Sequence, residues 1–447
     1  MDIKMVMLVA ALPVLCTAPA FGEAVSLRQA ISRALVGNQL LKAASLEQGV
    51  AKEELAVSRG RYLPRVYLES GATLSNTPSK VFMMKLDEAR IDPGSDFAPN
   101  SLNHPGARGD FRSSLTLEQP LLDLGISTGV EMAAKDAEAA AVSLDKSREQ
   151  VAFRVYLAYL AVRRAQAFRQ IADQALADAR EHGRLAGVRE RDGVGLKSDQ
   201  LRAATALSES EQGLLTAEND LLLARMRLNL AVGGPAGGLL DIGETPQVQE
   251  PKLAQAELAS LAQKSRPELR AGEKAVEKGE LAVRQARNAF LPTIYASAGY
   301  QLNDRDVPFG QDNDSWGVGV NLRWELFDGG SRWHGKKKAE LARQAAAALL
   351  EHDRREVALQ VTESVLRRQE AGLKLTSARA ALRAAEEGSR LVTLRFQNGL
   401  SSMVELMDAE SVLNRSRANL VEVENGYLRS VGELYYQAGV FLKEVMQ

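Results

Sequence analysis

The chain has 447 residues, of which 25% are charged and only 5% aromatic, and its net charge is -1. That balance excludes a basic nucleic-acid footprint. Few aromatics in a background rich in alanine and leucine argue against an ordinary globular enzyme and for long helices packed on each other. A single cysteine, Cys16, excludes a disulfide scaffold.

The N-terminal residues read as a targeting segment. Lys4 precedes an apolar run from Met5 to Cys16, followed by the small residues Ala18 and Ala20. This is the pattern of a signal peptide over residues 1–20, with cleavage between 20 and 22. The bulky Leu15 before Cys16 argues against lipidation. No later stretch reaches about 18 consecutive apolar residues, so no membrane helix is expected, although a β-barrel would escape such a test.

Next comes a helix over about 25–60, ending in Arg59-Gly60-Arg61-Tyr62-Leu63-Pro64. A strand follows in which Val66, Leu68, Ala72 and Leu74 alternate with Arg65, Tyr67, Glu69 and Thr73. Asn76 to Asp110 is a long, polar loop punctuated by Pro and Gly. The next strand sets Phe111, Leu115 and Leu117 against Arg112, Ser114, Thr116 and Glu118 and exits through Gln119-Pro120-Leu121-Leu122-Asp123. Gly125 opens a helix reaching about 190, the turn Gly193–Gly195 ends it, and a return helix follows. At 1.5 Å per residue such a helix runs to roughly 100 Å. Residues 233–251 form a linker that begins Gly-Gly-Pro-Ala-Gly-Gly.

The same order then repeats. A helix over about 252–288 ends in Arg287-Asn288-Ala289-Phe290-Leu291-Pro292. One strand has Ile294, Ala296, Ala298, Tyr300 and Leu302 on one face. A short acidic loop, Asn303 to Ser315, leads to another with Trp316, Val318, Val320, Leu322 and Trp324. After Glu325-Leu326-Phe327-Asp328-Gly329-Gly330, a long helix runs to about 397, turns at Asn398–Gly399 and returns. Pro64 and Pro292 are 228 positions apart, whereas Asp123 and Asp328 are 205 apart, so the first half holds an insertion of about two dozen residues between its motifs. Leu207, Leu214, Leu221 and Leu228 in one return helix correspond to Leu413, Leu420, Tyr427 and Leu434 in the other, with small residues interleaved, an alternating coiled-coil seam. The chain therefore divides into a first repeat at 21–232, the linker, and a second repeat at 252–447.

Strands of about ten residues with alternating faces fit a tilted membrane crossing, apolar to lipid and polar to a lumen. A soluble sheet with one face on a core is the other reading. Four strands are too few to close a barrel around a lumen, so the membrane reading requires a symmetric oligomer. No nucleotide-binding glycine pattern or catalytic constellation is present. His104, His182, His334 and His352 lack partners at metal-ligand spacing and read as solvated. Asp304, Asp306, Asp312 and Asp314 lack the EF-hand pattern and read as a solvated acidic loop, and Lys336-Lys337-Lys338 as a solvated helix face. No metal or other cofactor is expected. Ser402-Met403-Val404-Glu405 is a capping box, and Ser198 and Asp199 sit where the other return helix should start.

In these motifs the chain resembles the TolC family of outer-membrane efflux proteins: the Leu-Pro after each first helix, the two strand exits, and Arg395-Phe396-Gln397-Asn398-Gly399-Leu400 followed by Val404-Glu405-Leu406-Met407-Asp408-Ala409. The resemblance implies a mainly α fold with a membrane β-barrel, in which duplicated helix–hairpin–long-helix-pair repeats give four strands per chain to a trimeric tunnel. It implies an outer-membrane location with a periplasmic tunnel, and passive export for a periplasmic adaptor and an inner-membrane pump of RND, ABC or MFS type. It also implies that Glu405 and Asp408, with Asp199 in the matching place of the first repeat, ring the periplasmic aperture. Phe396, with the turn glycines Gly399 and Gly193, would belong to the gate; Ser401 stands where family members can carry a basic lock residue. The competing class is a periplasmic coiled-coil structural or adaptor protein, which would be expected to have one helical hairpin and a small inserted β-domain.

Overall fold

A computed structural model describes residues 24–243 and 254–446. The expected signal peptide, Cys16 and part of the linker lie outside these residues. In chain order the elements are α1 (Leu27–Gly37), α2 (Gln39–Gly60), β1 (Arg65–Ser75), α3 (Pro78–Asp87), α4 (Pro99–Asn103), β2 (Arg108–Leu122), α5 (Leu124–Arg191) and α6 (Lys197–Val232). The second half has α7 (Gln255–Ser265), α8 (Pro267–Asn288), β3 (Thr293–Asp304), β4 (Asn313–Arg323), α9 (Ser331–Gln397), α10 (Met403–Gln437) and α11 (Phe441–Val445).

The expected first helix of each half is two helices. Ser26 starts α1 through a capping box with Gln29. At Asn38 the backbone turns extended; its Oδ1 accepts from the Leu40 N–H at 2.9 Å and starts α2, while its Nδ2 donates to the Ala231 carbonyl at 2.9 Å. In the second half Arg266 precedes Pro267, whose ring pushes it out of the helical region. Its guanidinium donates to the Gln437 carbonyl at 3.2 Å and to Gln360 at 3.1 Å. Asn38 and Arg266 thus do equivalent work, each tying a helix break to the end of a return helix.

The long helices begin at the repeated aspartates. Asp123 Oδ1 accepts from the N–H of Gly125 at 2.8 Å, and Asp328 Oδ2 accepts from the N–H of Arg332 at 2.8 Å. Helices α5 and α9 have 68 and 67 residues, several times the length of an ordinary globular helix. Among the described residues no helix is long and apolar enough to cross a membrane.

The chain separates into two compact units, each drawing on both halves of the sequence. Unit 1 comprises the described residues up to Ala44, those within Asp145–Arg266, and those from Glu356 onward. Its core joins Ile31 and Ala34 of α1, Tyr156, Tyr159 and Leu160 of α5, Leu228 of α6, Tyr435 of α10 and Phe441 of α11. The seam is buried in part: Leu221, Ala224, Leu228 and Ala231 of α6 are covered, as are Leu413 and Leu434 of α10, while Leu207 and Leu214 are half-buried. The small residues let the helices approach closely.

Unit 2 comprises Ser45–Leu144 and Pro267–Arg355 and holds a four-stranded antiparallel meander in the order β1-β2-β3-β4. Cross-strand partners share a face, so the register assembles two faces from the alternation. The rows Leu68–Leu115–Tyr300–Trp316 and Val66–Leu117–Ala298–Val318 make one face apolar. The rows Glu69–Ser114–Gln301–Ser315 and Tyr67–Thr116–Gly299–Gly317 make the other mostly polar. Strand β2 continues beyond the expected stop, through Pro120, with a register shift between Pro120 and Leu122. Pro is tolerated there because β1 pairing ends at Glu118, leaving no ladder on that side that needs its missing N–H. The expected loop at 76–110 contains α3 and α4, and its Phe82 and Phe97 rings meet edge to face with centroids 5.8 Å apart.

Candidate functional site

Two places carry the expected chemistry: the helical turns of unit 1 and the strand faces of unit 2. The turns α5–α6 and α9–α10 share one backbone design. Gly193 and Gly399 both have φ +72°, a conformation that costs glycine little and other residues more. The Gly193 N–H donates to the Glu190 carbonyl at 3.1 Å and the Val194 N–H to the Arg189 carbonyl at 3.0 Å. The Gly399 N–H donates to Phe396 at 3.1 Å and the Leu400 N–H to Arg395 at 2.8 Å. These are two Schellman motifs.

The two turns are brought together by a small core of Ala186, Ala203, Phe396, Met403 and Leu406. Phe396 is only 4% exposed, so its first role is packing. Arg189 was not visible as a site residue in the sequence. Its guanidinium lies 4.3 Å from the Phe396 ring centroid and donates to the Phe396 carbonyl at 3.4 Å. The signal that could have found it is the repeat, since Arg189 and Arg395 occupy equivalent positions in the two turns. Arg395 donates to the Leu400 carbonyl of its own turn at 3.2 Å.

The acids sit in the first two turns of the return helices. The Ser402 hydroxyl accepts from the Glu405 N–H at 3.2 Å, completing the capping box expected of α10. The Ser401 hydroxyl donates to the Glu405 carboxylate. That bond, the Ser402 N–H and the charge of Arg395 hold the Glu405 carboxyl below the ordinary glutamate range. Asp408 is exposed and lies one turn further along α10. Helix α6 starts where expected, but Leu196 is its N-cap and makes no side-chain cap bond. Ser198 is therefore inside the first turn, and Asp199, half-buried at the position equivalent to Glu405, supports the helix through its dipole.

One histidine departs from expectation. His182 is not solvated through its ring: Nδ1 and Nε2 are both buried without a hydrogen-bond partner. Its side chain lines a cavity of about 330 Å³ together with the small residues Ala179, Ala203 and Ala206 of α5 and α6. The acidic loop is bonded as well as solvated: Arg90 Nη2 lies 2.7 Å from Asp312 and Nη1 3.4 Å from Asp306. Among the described residues no group of three or more His, Cys, Asp or Glu is placed to hold a metal ion. Lys336 lies 3.8 Å from Glu340 on its own helix.

The apolar sheet face is uncovered. Trp316 is 76% exposed and Val318 74%, with Val66, Leu68, Val320 and Leu322 exposed beside them. A contiguous exposed apolar face of this kind marks contact with lipid or with another protein. A profile of the family described as outer membrane efflux protein matches residues 30–234 and 258–440. The chain belongs to that family. It is an outer-membrane channel protein of the TolC type, and the reading as a periplasmic coiled-coil or adaptor protein is set aside. The alkaline protease secretion protein AprF of Pseudomonas aeruginosa is 24% identical over 349 residues, covering 74% of this chain and 72% of that protein. The proteases secretion protein PrtF of Dickeya chrysanthemi is 22% identical over 435 residues, covering 95% and 90%. In fold the chain is similar to CusC, with a TM-score of 0.80 at 18% identity over 96% of this chain and 95% of that one. It is similar also to the CmeC outer membrane channel of Campylobacter jejuni, with a TM-score of 0.78 at 14% identity over 98% and 94%.

Proposed function

We propose that three copies of this chain assemble into a closed barrel and tunnel that serves as the passive outer-membrane exit of a type I secretion or tripartite efflux machine. The observation that carries this is the sheet itself. Among the described residues the meander leaves the outer edges of β1 and β4 without a partner, and both strands have 11 residues. Unpaired edges of equal length beside an exposed apolar face are satisfied when β4 of one copy pairs with β1 of the next. Three copies then close twelve strands, enough for a lumen, whereas four are not. Cargo would be delivered by a periplasmic adaptor and an inner-membrane pump. The naming of AprF and PrtF as protease secretion proteins favours a polypeptide cargo.

In this assembly Glu405 and Asp408 of three copies, with Asp199, ring the periplasmic aperture. Such a ring attracts cations and repels anions. Phe396, held by Arg189, would keep the two turns of each copy together at the gate, with Gly193 and Gly399 as their pivots. The purified protein should run as a heat-modifiable trimer and conduct in planar bilayers with cation preference. In a salt gradient the double variant Glu405→Gln, Asp408→Asn should shift the reversal potential toward zero. An unchanged reversal potential would sink the aperture assignment, and a detergent-independent soluble monomer would sink the duct.

A further inference from the structure

The insertion of the first half ends up over the sheet, and over one particular face of it. One end of every strand connects to helices α2, α5, α8 and α9. The opposite, distal end carries the β1–β2 insertion with α3 and α4, and the short β3–β4 loop. Helix α3 starts at Pro78, just past β1, and at its far end the Asp87 carbonyl accepts from Asn313 Nδ2 of β4 at 2.9 Å. It therefore crosses the sheet from first strand to last. The dimensions agree: 10 helical residues span about 15 Å, and the three gaps between four strands sum to about 14 Å.

It crosses on the polar face. A cleft of about 550 Å³ separates α3 from the sheet, with Lys80 and Met83 on the helix side and Glu69, Thr73, Arg112 and Ser114 on the strand side. The fastening is ionic. Arg112 of β2 lies 3.6 Å from Asp87, Arg108 pairs with the fully buried Glu88, and Arg90 reaches across to Asp306 and Asp312 in the β3–β4 loop. Lys85 pairs with Asp96 and holds the insertion to itself.

We infer that residues 78–103 form a latched gate folded into the distal mouth of the barrel, with Arg90 and its two aspartates as the latch. The inference rests on the proposed duct, in which the polar face is the lumen wall. A helix laid across four strands of that wall obstructs the lumen, and three-fold symmetry would supply three such helices. The Arg90 and Arg112 contacts are the exposed part of the fastening, where ion pairs contribute modestly and can be released, and of these the Arg90 pairs are the ones that reach the β3–β4 loop. The Arg108–Glu88 pair is covered and forms the fixed hinge side. Opening is then an exchange of exposed ion pairs for water, within reach of a passing cargo.

The test reads access from outside, so that it does not depend on the periplasmic aperture. Thr116 lies on the polar face deeper than the cleft, and the only cysteine of the chain is in the expected leader. Thr116→Cys in the full-length protein, in intact cells, is exposed to a polymer-linked maleimide too large to cross the outer membrane. Labelling should be slow. Adding Arg90→Glu should speed it roughly fivefold or more, and further adding Asp312→Arg should slow it again. A variant in which a short Gly-Ser turn replaces residues 77–106 should label fastest. Equal rates for Thr116→Cys with and without Arg90→Glu, in cells that display the trimer, overturn the latch alone. No labelling in any variant, the shortened one included, overturns the lumen assignment and with it the proposed duct.

Discussion

The two units treat their apolar side chains in opposite ways. In unit 1 Tyr156, Tyr159, Leu160, Leu228, Leu434 and Phe441 are buried by other parts of the same chain. In the sheet of unit 2, Leu68, Trp316, Val318 and Val320 remain exposed on a face that none of the described residues covers. The helical unit can gain its hydrophobic stabilisation within one copy. In the proposed trimer the sheet gains it from lipid and satisfies its edges from neighbouring copies. The same alternation of apolar and polar residues that would build a soluble sandwich thus builds a membrane wall when no second layer is supplied.

Three sets of substitutions break or sharpen this contrast. The largest effect belongs to the helical unit. Tyr156 is fully buried, stacks on Phe153, meets Phe441 edge-on, and donates its hydroxyl to the Leu428 carbonyl. Tyr156→Ala should cost about 3–5 kcal/mol in denaturant unfolding of the detergent-purified protein. A loss below about 1 kcal/mol would mean that unit 1 does not carry its own core.

Next is a pair of neighbours on β4. Val318→Arg places a charge on the apolar face and should cost about 2–4 kcal/mol of stability in lipid if that face lies near the bilayer midplane. Gly317→Arg, one residue away on the polar face with open space beside its Cα, should be tolerated. Refolding into lipid vesicles from denaturant measures both, and equal penalties would contradict the assignment of faces.

The smallest effect separates the two turns within unit 1. Ser402→Ala removes a hydroxyl that caps α10 and should cost about 1 kcal/mol in thermal unfolding, whereas Ser198→Ala, not a cap in this structure, should cost almost nothing. The Glu405 half of that box has a pH signature. Its carboxyl is held below its ordinary value of 4.5, so its stabilisation is fully present above that value and is lost as the pH falls through its lowered, folded-state value. The Ser402→Ala deficit should therefore shrink in acid; a deficit that stays the same there would show that Glu405 acts independently of the cap.

Much was legible because it is written locally. A glycine suits a helix that must end in the left-handed region, a serine with a glutamate three residues on closes a capping box, and alternation assigns a strand's faces. Gly193, Gly399, the Ser402–Glu405 box and the strand faces were readable for that reason, and recurrence of the turns and strands in the second half multiplied their force. Pro267 is a local signal of the same kind, since the residue before a proline is disfavoured in a helix, and the break falls at Arg266.

Other features were decided only by packing. Nothing near Asn38 in the sequence says that its amide must reach the Ala231 carbonyl, 193 positions away, and so break a helix. Nothing near Arg189 says that it will stack on Phe396, and its bond to that residue's carbonyl spans 207 positions. The insertion at 76–110 is polar and broken by Pro and Gly, which suggests a free loop. Its helices form because Val81 and Met84 are covered in the fold and because Arg90, Arg108 and Arg112 find carboxylates there. The sequence by itself determined the turns, the caps, the strand faces and the duplication, since each depends on a few adjacent residues. Which turns meet, and which face the insertion covers, depended on surfaces that exist only once the helices and strands have packed.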